Sequence, residues 1–172
     1  DHPAALEANM FDEVEKSAVI SECGTYRYSL TRRWSPGPVM LFVMLNPSTA
    51  DAAQDDPTIR RCIGFARREG CGAIEVVNTC AFRATDPAVV RAAAGAGVDV
   101  VGPDNATHLQ AALARAQRVV VAWGATDVGA PPTVVQALRR HGALSCLGCT
   151  RDGSPRHPLY VRADQPLMPW PS

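Results

Sequence analysis

Two asparagines, a histidine and a short run of hydroxyl and acidic residues stand where apolar segments of this chain break off. Asn46 closes "LFVML" and is locked to Pro47, with Ser48, Thr49 and Asp51 directly behind it. Asn78 closes "AIEVV", Trp123-Gly124 close "RVVVA", and Arg156-His157-Pro158 follow the run "ALSCLG", with Tyr160 just beyond. A carboxamide presents a donor and an acceptor side by side, which matches the edge of a nucleobase. An imidazole can stabilise an anionic leaving base, and hydroxyls beside backbone N–H groups suit a phosphate or an attacking water. Pro47 and Pro158 hold the residues before them extended, so Asn46 and His157 are expected to be rigid. Asp51, Asp55 and Asp56 are the nearby carboxylates for general-base duty. Asp56 reads better as a helix cap, which leaves Asp51 as the choice. Trp123 is read both as a stacking face and as a packed core residue.

These residues converge only if the fold brings the loops together. "VMLFVML" (39–45) has the continuous apolar character of a strand buried on both faces. "DDPTIRRCIGFARREG" predicts a helix with Asp56 at the N-cap, Pro57 in the first turn and Gly70 at the stop; Ile59, Cys62, Ile63 and Ala66 form its apolar face, and arginines 60, 61, 67 and 68 its mostly solvated one. Strands at 73–78, 118–124 and 143–148 alternate with helices entered at Asp86-Pro87, Pro103 and Pro131-Pro132. Short strand–helix alternation implies right-handed crossovers, hence a three-layer α/β/α domain with a mainly parallel central sheet of about four strands. "TYRYSLTRRW" (25–34) is expected as an antiparallel edge strand or hairpin. In such a sheet ligands bind outside the carboxyl ends of the strands, which is where the four polar loops fall.

Composition narrows the partners. The chain balances 17 basic against 17 acidic residues, which argues against a nonspecific nucleic-acid coat. With 47% hydrophobic residues among 172 it can bury one core, so residues 21–172 are assigned to one domain and 1–20 to an N-terminal extension, in part added sequence ahead of Met10. No apolar run reaches membrane-spanning length and no secretory signal is evident, so a cytoplasmic protein without a membrane partner is expected. The six cysteines are accordingly read as thiols. Cys146-x2-Cys149, flanked by His141 and His157, lacks the second closely spaced pair of a structural zinc site, and no metal is expected. "GAGVDVVG" (95–102) has the wrong spacing and follows a helix, so it is not a dinucleotide-binding motif.

The motifs "LNPSTAD", "DPTIRRC", "VVNTCAFRATDP", "VGPDN", "AWG" and "HPLY", in that order, closely resemble a family of bacterial and phage proteins known only as a domain of unknown function, over roughly residues 25–165. More distantly, "MLNPS", "VVNTCAFRATDP", "VAWG" and "RHPLY" resemble the ordered motifs of uracil-DNA glycosylases. That resemblance implies a uracil-DNA glycosylase-like fold and hydrolysis of a nucleobase N-glycosidic bond, on an unusual or modified base in DNA or in a nucleotide. It would make Asn46 the residue that positions water, Asn78 the reader of the extruded base and His157 the stabiliser of its departing oxygen. Arg83 and Ser48 would meet the phosphate backbone, and Pro47, Thr49, Trp123, Gly124, Arg156 and Tyr160 would line the substrate. The four-cysteine spacing of the iron–sulfur glycosylases is absent, so no cofactor is expected. The alternative from the same fold is a module that binds a nucleotide or modified base without cleaving it. A third possibility is an interaction protein whose strand-end cluster is purely structural.

Overall fold

The fold is described from a computed structural model covering residues 14–125 and 130–171. Burial of both faces of β3 (Val39–Met44) organises the molecule. Met40, Phe42 and Met44 face one core cluster, while Leu41, Val43 and the following Leu45 face another, as the two-residue period of a strand requires. Helix α1 (Pro57–Arg68) covers the first cluster with Ile59, Cys62, Phe65 and Ala66. Helices α2 (Pro87–Gly95), α3 (Asn105–Arg115) and α4 (Pro132–His141) cover the second through Val90, Leu109, Leu113 and Leu138. Phe65 joins the apolar face of α1, and Ile63, partly buried, packs against the same cluster.

Among the described residues the sheet has seven strands: β1 (Glu15–Ile20), β2 (Arg27–Arg33), β3, β4 (Ala73–Asn78), β5 (Arg118–Val121), β6 (Ser145–Cys146) and β7 (Met168–Pro169), in the order β1-β2-β4-β3-β5-β6-β7. Four mainly parallel strands were expected; the sheet is larger and mixed. The four expected apolar runs form its contiguous parallel middle, β4-β3-β5-β6. Antiparallel strands extend it at both sides, β2 and β1 beyond β4 and β7 beyond β6. The 25–34 segment is therefore an interior strand, because residues 15–20, counted with the N-terminal extension in the sequence, pair along it as β1.

The helix starts follow the predicted chemistry. Asp56 is extended and its Oδ1 accepts from Ile59 N at 2.9 Å, with Pro57 next in line. Asp86 does the same for α2 through Ala88 N. Arg67 and Arg68 occupy the last turn of α1, where a cation complements the carbonyl end of the helix. Arg60, Arg67 and Arg68 are exposed, as expected of this face, and Arg61 is half-buried. Arg61 donates to Pro158 O and Val161 O, and Arg68 to Ala163 O and Gln165 O, so α1 clamps the late loop along its length. Opposite them, Arg32 is fully buried and donates to the Asp55 carboxylate and to Ser17, Thr31, Asp51 and Gln54 carbonyls. Arg32 thereby pins the loop between β3 and α1 to the sheet. Among the described residues no helix is long and apolar enough to cross a membrane.

Candidate functional site

The parallel middle of the sheet places the ends of β3, β4, β5 and β6 along one edge, and the loops beyond them enclose a cleft of about 820 Å³. After β3, Asn46, Ser48 and Thr49 line it; the start of α1 adds Asp56 and Thr58; β4 adds Asn78. The far wall is Trp123 and Gly124 after β5, with Thr150, Asp152, Arg156, His157 and Tyr160 from the loop after β6. Arg27 of β2 and Arg91 of α2 complete the lining. The cleft thus carries cations and carboxylates together, Arg27, Arg91 and Arg156 against Asp56 and Asp152.

Asn78 is the unusual group. It is 1% exposed, yet neither its Oδ1 nor its Nδ2 has a hydrogen-bond partner. Buried carboxamides are ordinarily satisfied, and leaving one bare costs about 1–3 kcal/mol. Its backbone is held from behind: Asn105 Nδ2 donates to Asn78 O at 2.8 Å and to Thr79 O at 3.4 Å. Asn105, in the "VGPDN" motif, is itself buried at the start of α3. Two short bonds, Thr79 N to Met44 O and Cys80 N to Leu45 O, tie the same strand end to β3.

Asn46 is oriented rather than bare. Its Nδ2 donates to Pro47 O at 3.1 Å and to Ala84 O at 2.9 Å, and Ala84 N in turn donates to Pro47 O. With both donor bonds directed into the protein, the amide offers its Oδ1 as an acceptor, suited to a water's O–H.

His157 caps the short 3₁₀ turn Pro158–Tyr160, with Nδ1 accepting from Leu159 N at 3.1 Å. That bond fixes the tautomer: in the neutral ring the proton sits on Nε2, a donor. Burial pulls the imidazole below its ordinary value of 6.5, with the Asp56 carboxylate pulling the other way, so the ring is neutral at pH 7. Arg61 holds the turn by its donations to Pro158 O and Val161 O. Gly124, at φ +77°, lets the β5 loop pass close: a Cβ there would lie 3.4 Å from His157 Cβ. Gly124 N also donates to Pro155 O at 2.7 Å.

The remaining expected residues divide. Ser48, Thr49, Arg156 and Tyr160 line the cleft, and the Tyr160 ring stands 5.6 Å from the His157 ring at the exposed rim. Trp123 lines it too but is 7% exposed and packs edge-on against Trp170 at 5.2 Å, so it belongs to the core as well as to the wall. Pro47 is buried and acts through its carbonyl. Asp51 and Arg83 do not line the cleft. The Asp51 carboxylate accepts from Ala53 N and Gln54 N at 2.8 Å each, closing a turn, and those bonds lower its pKa. It is a turn former and a poor base. Arg83 reaches toward Gly24 O on the β1–β2 side. Asp56, buried, is spent on Ile59 N and Ala50 N.

Arg27, Arg61 and Asn105 escaped the sequence reading. For Arg61 and Asn105 the motifs "DPTIRRC" and "VGPDN" were the available signal; for Arg27 it was an arginine on each face of one strand. Among the described residues no group of three or more histidine, cysteine, aspartate or glutamate side chains is placed to hold a metal ion. Cys146 and Cys149 lie with Sγ atoms 3.9 Å apart, away from the cleft lining.

Comparison with known proteins adds one match. The family model described as "Protein of unknown function (DUF1643)" matches residues 27–159, a span that runs from Arg27 through His157 to Leu159. No curated protein and no solved structure matches the chain.

Proposed function

Because the chain belongs to the DUF1643 family of proteins of unknown function, its role has to come from the cleft, and we propose that the cleft binds a nucleobase and hydrolyses its N-glycosidic bond, in DNA or in a nucleotide. The observation that carries this reading is the unpartnered carboxamide of Asn78, buried in the cleft wall with a free donor and a free acceptor. A base edge entering the cleft supplies both partners. His157, neutral with its proton on Nε2, donates to the base oxygen that gains charge as the bond breaks, and a fixed donor contributes most where charge develops. Asn46 Oδ1 accepts from the attacking water. In an oxocarbenium-like transition state the sugar is already electrophilic, so that water needs orientation more than deprotonation. As C1′–N breaks the base leaves as an anion, and as C1′–O forms the water's proton passes to that anion or to solvent. If the target lies in a duplex, the nucleotide leaves the stack first, at a cost of a few kcal/mol.

A second reading, a base-binding module that does not cleave, is favoured by the state of the carboxylates. Asp56 is committed to Ile59 N and Ala50 N, and Asp152 to the Thr150 hydroxyl and Ser154 N. Neither is left over as a general base.

The two separate in one assay. Single- and double-stranded oligonucleotides carrying uracil, hypoxanthine and substituted pyrimidines are incubated with the protein and then with alkali. Scission that disappears in Asn46→Ala and His157→Ala establishes hydrolysis. Binding without scission assigns the module. Neither binding nor scission by a folded protein rejects the base reading.

A further inference from the structure

Arg27 takes no part in the reading above, yet its side chain is the most awkwardly placed charge in the cleft. It is 2% exposed; Nη1 donates to Ala50 O at 3.0 Å, while Nε has no partner. Its location comes from an irregularity in β2. Val19 pairs with Ser29 but the next residue, Ile20, pairs with Arg27, so Tyr28 is an extra residue in that step. Regular alternation would put Arg27 on the opposite face from Leu30. Past the extra residue it shares the face of Ile20, Ala18 and Leu30, the face covered by α1. Strand irregularities of this kind re-aim a side chain and are frequent beside functional sites. Here the result is a buried guanidinium in the cleft wall near Asp56, which partly offsets its charge. Burial pushes Arg27 down to about 10, which leaves it cationic at neutral pH.

We propose that Arg27 is the specificity-determining residue of the cleft, donating its Nε–H to an oxygen acceptor that the ligand carries in addition to the edge paired with Asn78. The inference rests on the nucleobase reading. The donors and acceptors set the class of ligand. Asn78 takes one donor and one acceptor from the base edge, and His157 Nε2–H takes one exocyclic carbonyl oxygen. A plain pyrimidine has then engaged each polar group of its free edge once, and none is left dedicated to Arg27 Nε. A substituent carrying a hydroxyl, carbonyl or carboxylate oxygen completes the set. The space agrees: about 820 Å³ falls in the range of pockets that enclose whole drug-sized ligands, well beyond one bare ring. A methyl group in the same place would leave Nε without a partner, and hydrogen bonds to charged groups are the ones that discriminate most strongly.

The test is calorimetric binding of three free bases of one shape series: thymine, its hydroxymethyl analogue and its carboxyl analogue. The wild-type protein is expected to bind the two oxygen-bearing bases about tenfold or more tighter than thymine. Arg27→Met should bind all three at the thymine level, and Arg27→Lys, which keeps the charge without the Nε–H, should narrow the ratio. Should Arg27→Met fail to fold by its melting curve, Arg27→Lys alone decides. Equal binding of the three bases by wild type, or an unchanged ratio in the variants, overturns the role of Arg27 while the base reading stands. No binding of any of them by folded wild-type protein overturns the inference, while the oligonucleotide assay above decides the base reading separately.

Discussion

Asn78 and Asn46 end neighbouring strands, but their side chains stand in opposite energetic situations, and the difference can be measured. Asn78 makes no side-chain hydrogen bond, so truncating it loses none and relieves an unsatisfied buried amide of about 1–3 kcal/mol, offset by the small cavity left behind. Asn78→Ala is expected to unfold in urea within about 1 kcal/mol of wild type, or above it, while losing ligand binding. Asn46→Ala removes two bonds that tie the β3 loop to Pro47 and Ala84 and is expected to lose about 1–2 kcal/mol. Unchanged stability together with lost binding is the combination that the proposed base-contacting role of Asn78 requires. His157 adds a pH signature. Its folded pKa lies below the ordinary 6.5, so between those two values the unfolded chain holds more protons than the folded one. Stability therefore rises with pH through that window, levels off above 6.5, and falls as the solution is acidified below it. Replacing His157 with glutamine should flatten that slope in denaturant titrations at a series of pH values. Binding should hold to a pH below 6.5 before protonation of Nδ1 breaks the Leu159 cap.

Elements decide whether those residues meet, and α1 does the most. Through Arg61 it grips the turn after His157, and through Arg68 the loop beyond it. Arg61→Ala is expected to cost about 1–3 kcal/mol of stability and to lower ligand affinity or turnover more than Arg68→Ala does, since only Arg61 holds the residue adjoining His157. The comparison is read from paired binding and melting measurements on the two variants. The Asp-Pro helix starts and the four apolar runs of the parallel middle were legible in the sequence, because capping and strand burial are encoded locally. The strand-end asparagines and His157 were legible as one group for the same reason, since the edge they share follows from strand–helix alternation. β1 was not: "EKSAVI" is exposed over much of its length and becomes a strand only by pairing with β2. Nor was β7, a two-residue strand defined by its partner β6. Arg27 escaped because one extra residue reverses its face, and Asn105 because its role is a bond to a backbone carbonyl 27 positions away.

For the whole molecule, the buried arginine on the other side of the β3 loop sets the scale of what the fold can lose. Arg32 is fully buried and serves the Asp55 carboxylate together with four backbone carbonyls. Arg32→Ala strips those acceptors in one step and is expected to cost about 3–5 kcal/mol, read from equilibrium denaturation. Loss of that size would leave many domains marginal. The distance along the chain between the two walls of the cleft has a different kind of consequence. Arg61 and the Pro158 and Val161 carbonyls it holds are separated by 97 and 100 positions. A polypeptide emerging from the ribosome presents Asn46 and Asn78 long before His157 exists, so a half-made copy has one wall of the cleft without the other. On the proposed base reading a chain stopped ahead of His157 lacks one wall of the cleft, and is expected to be silent in the binding assay instead of acting without control.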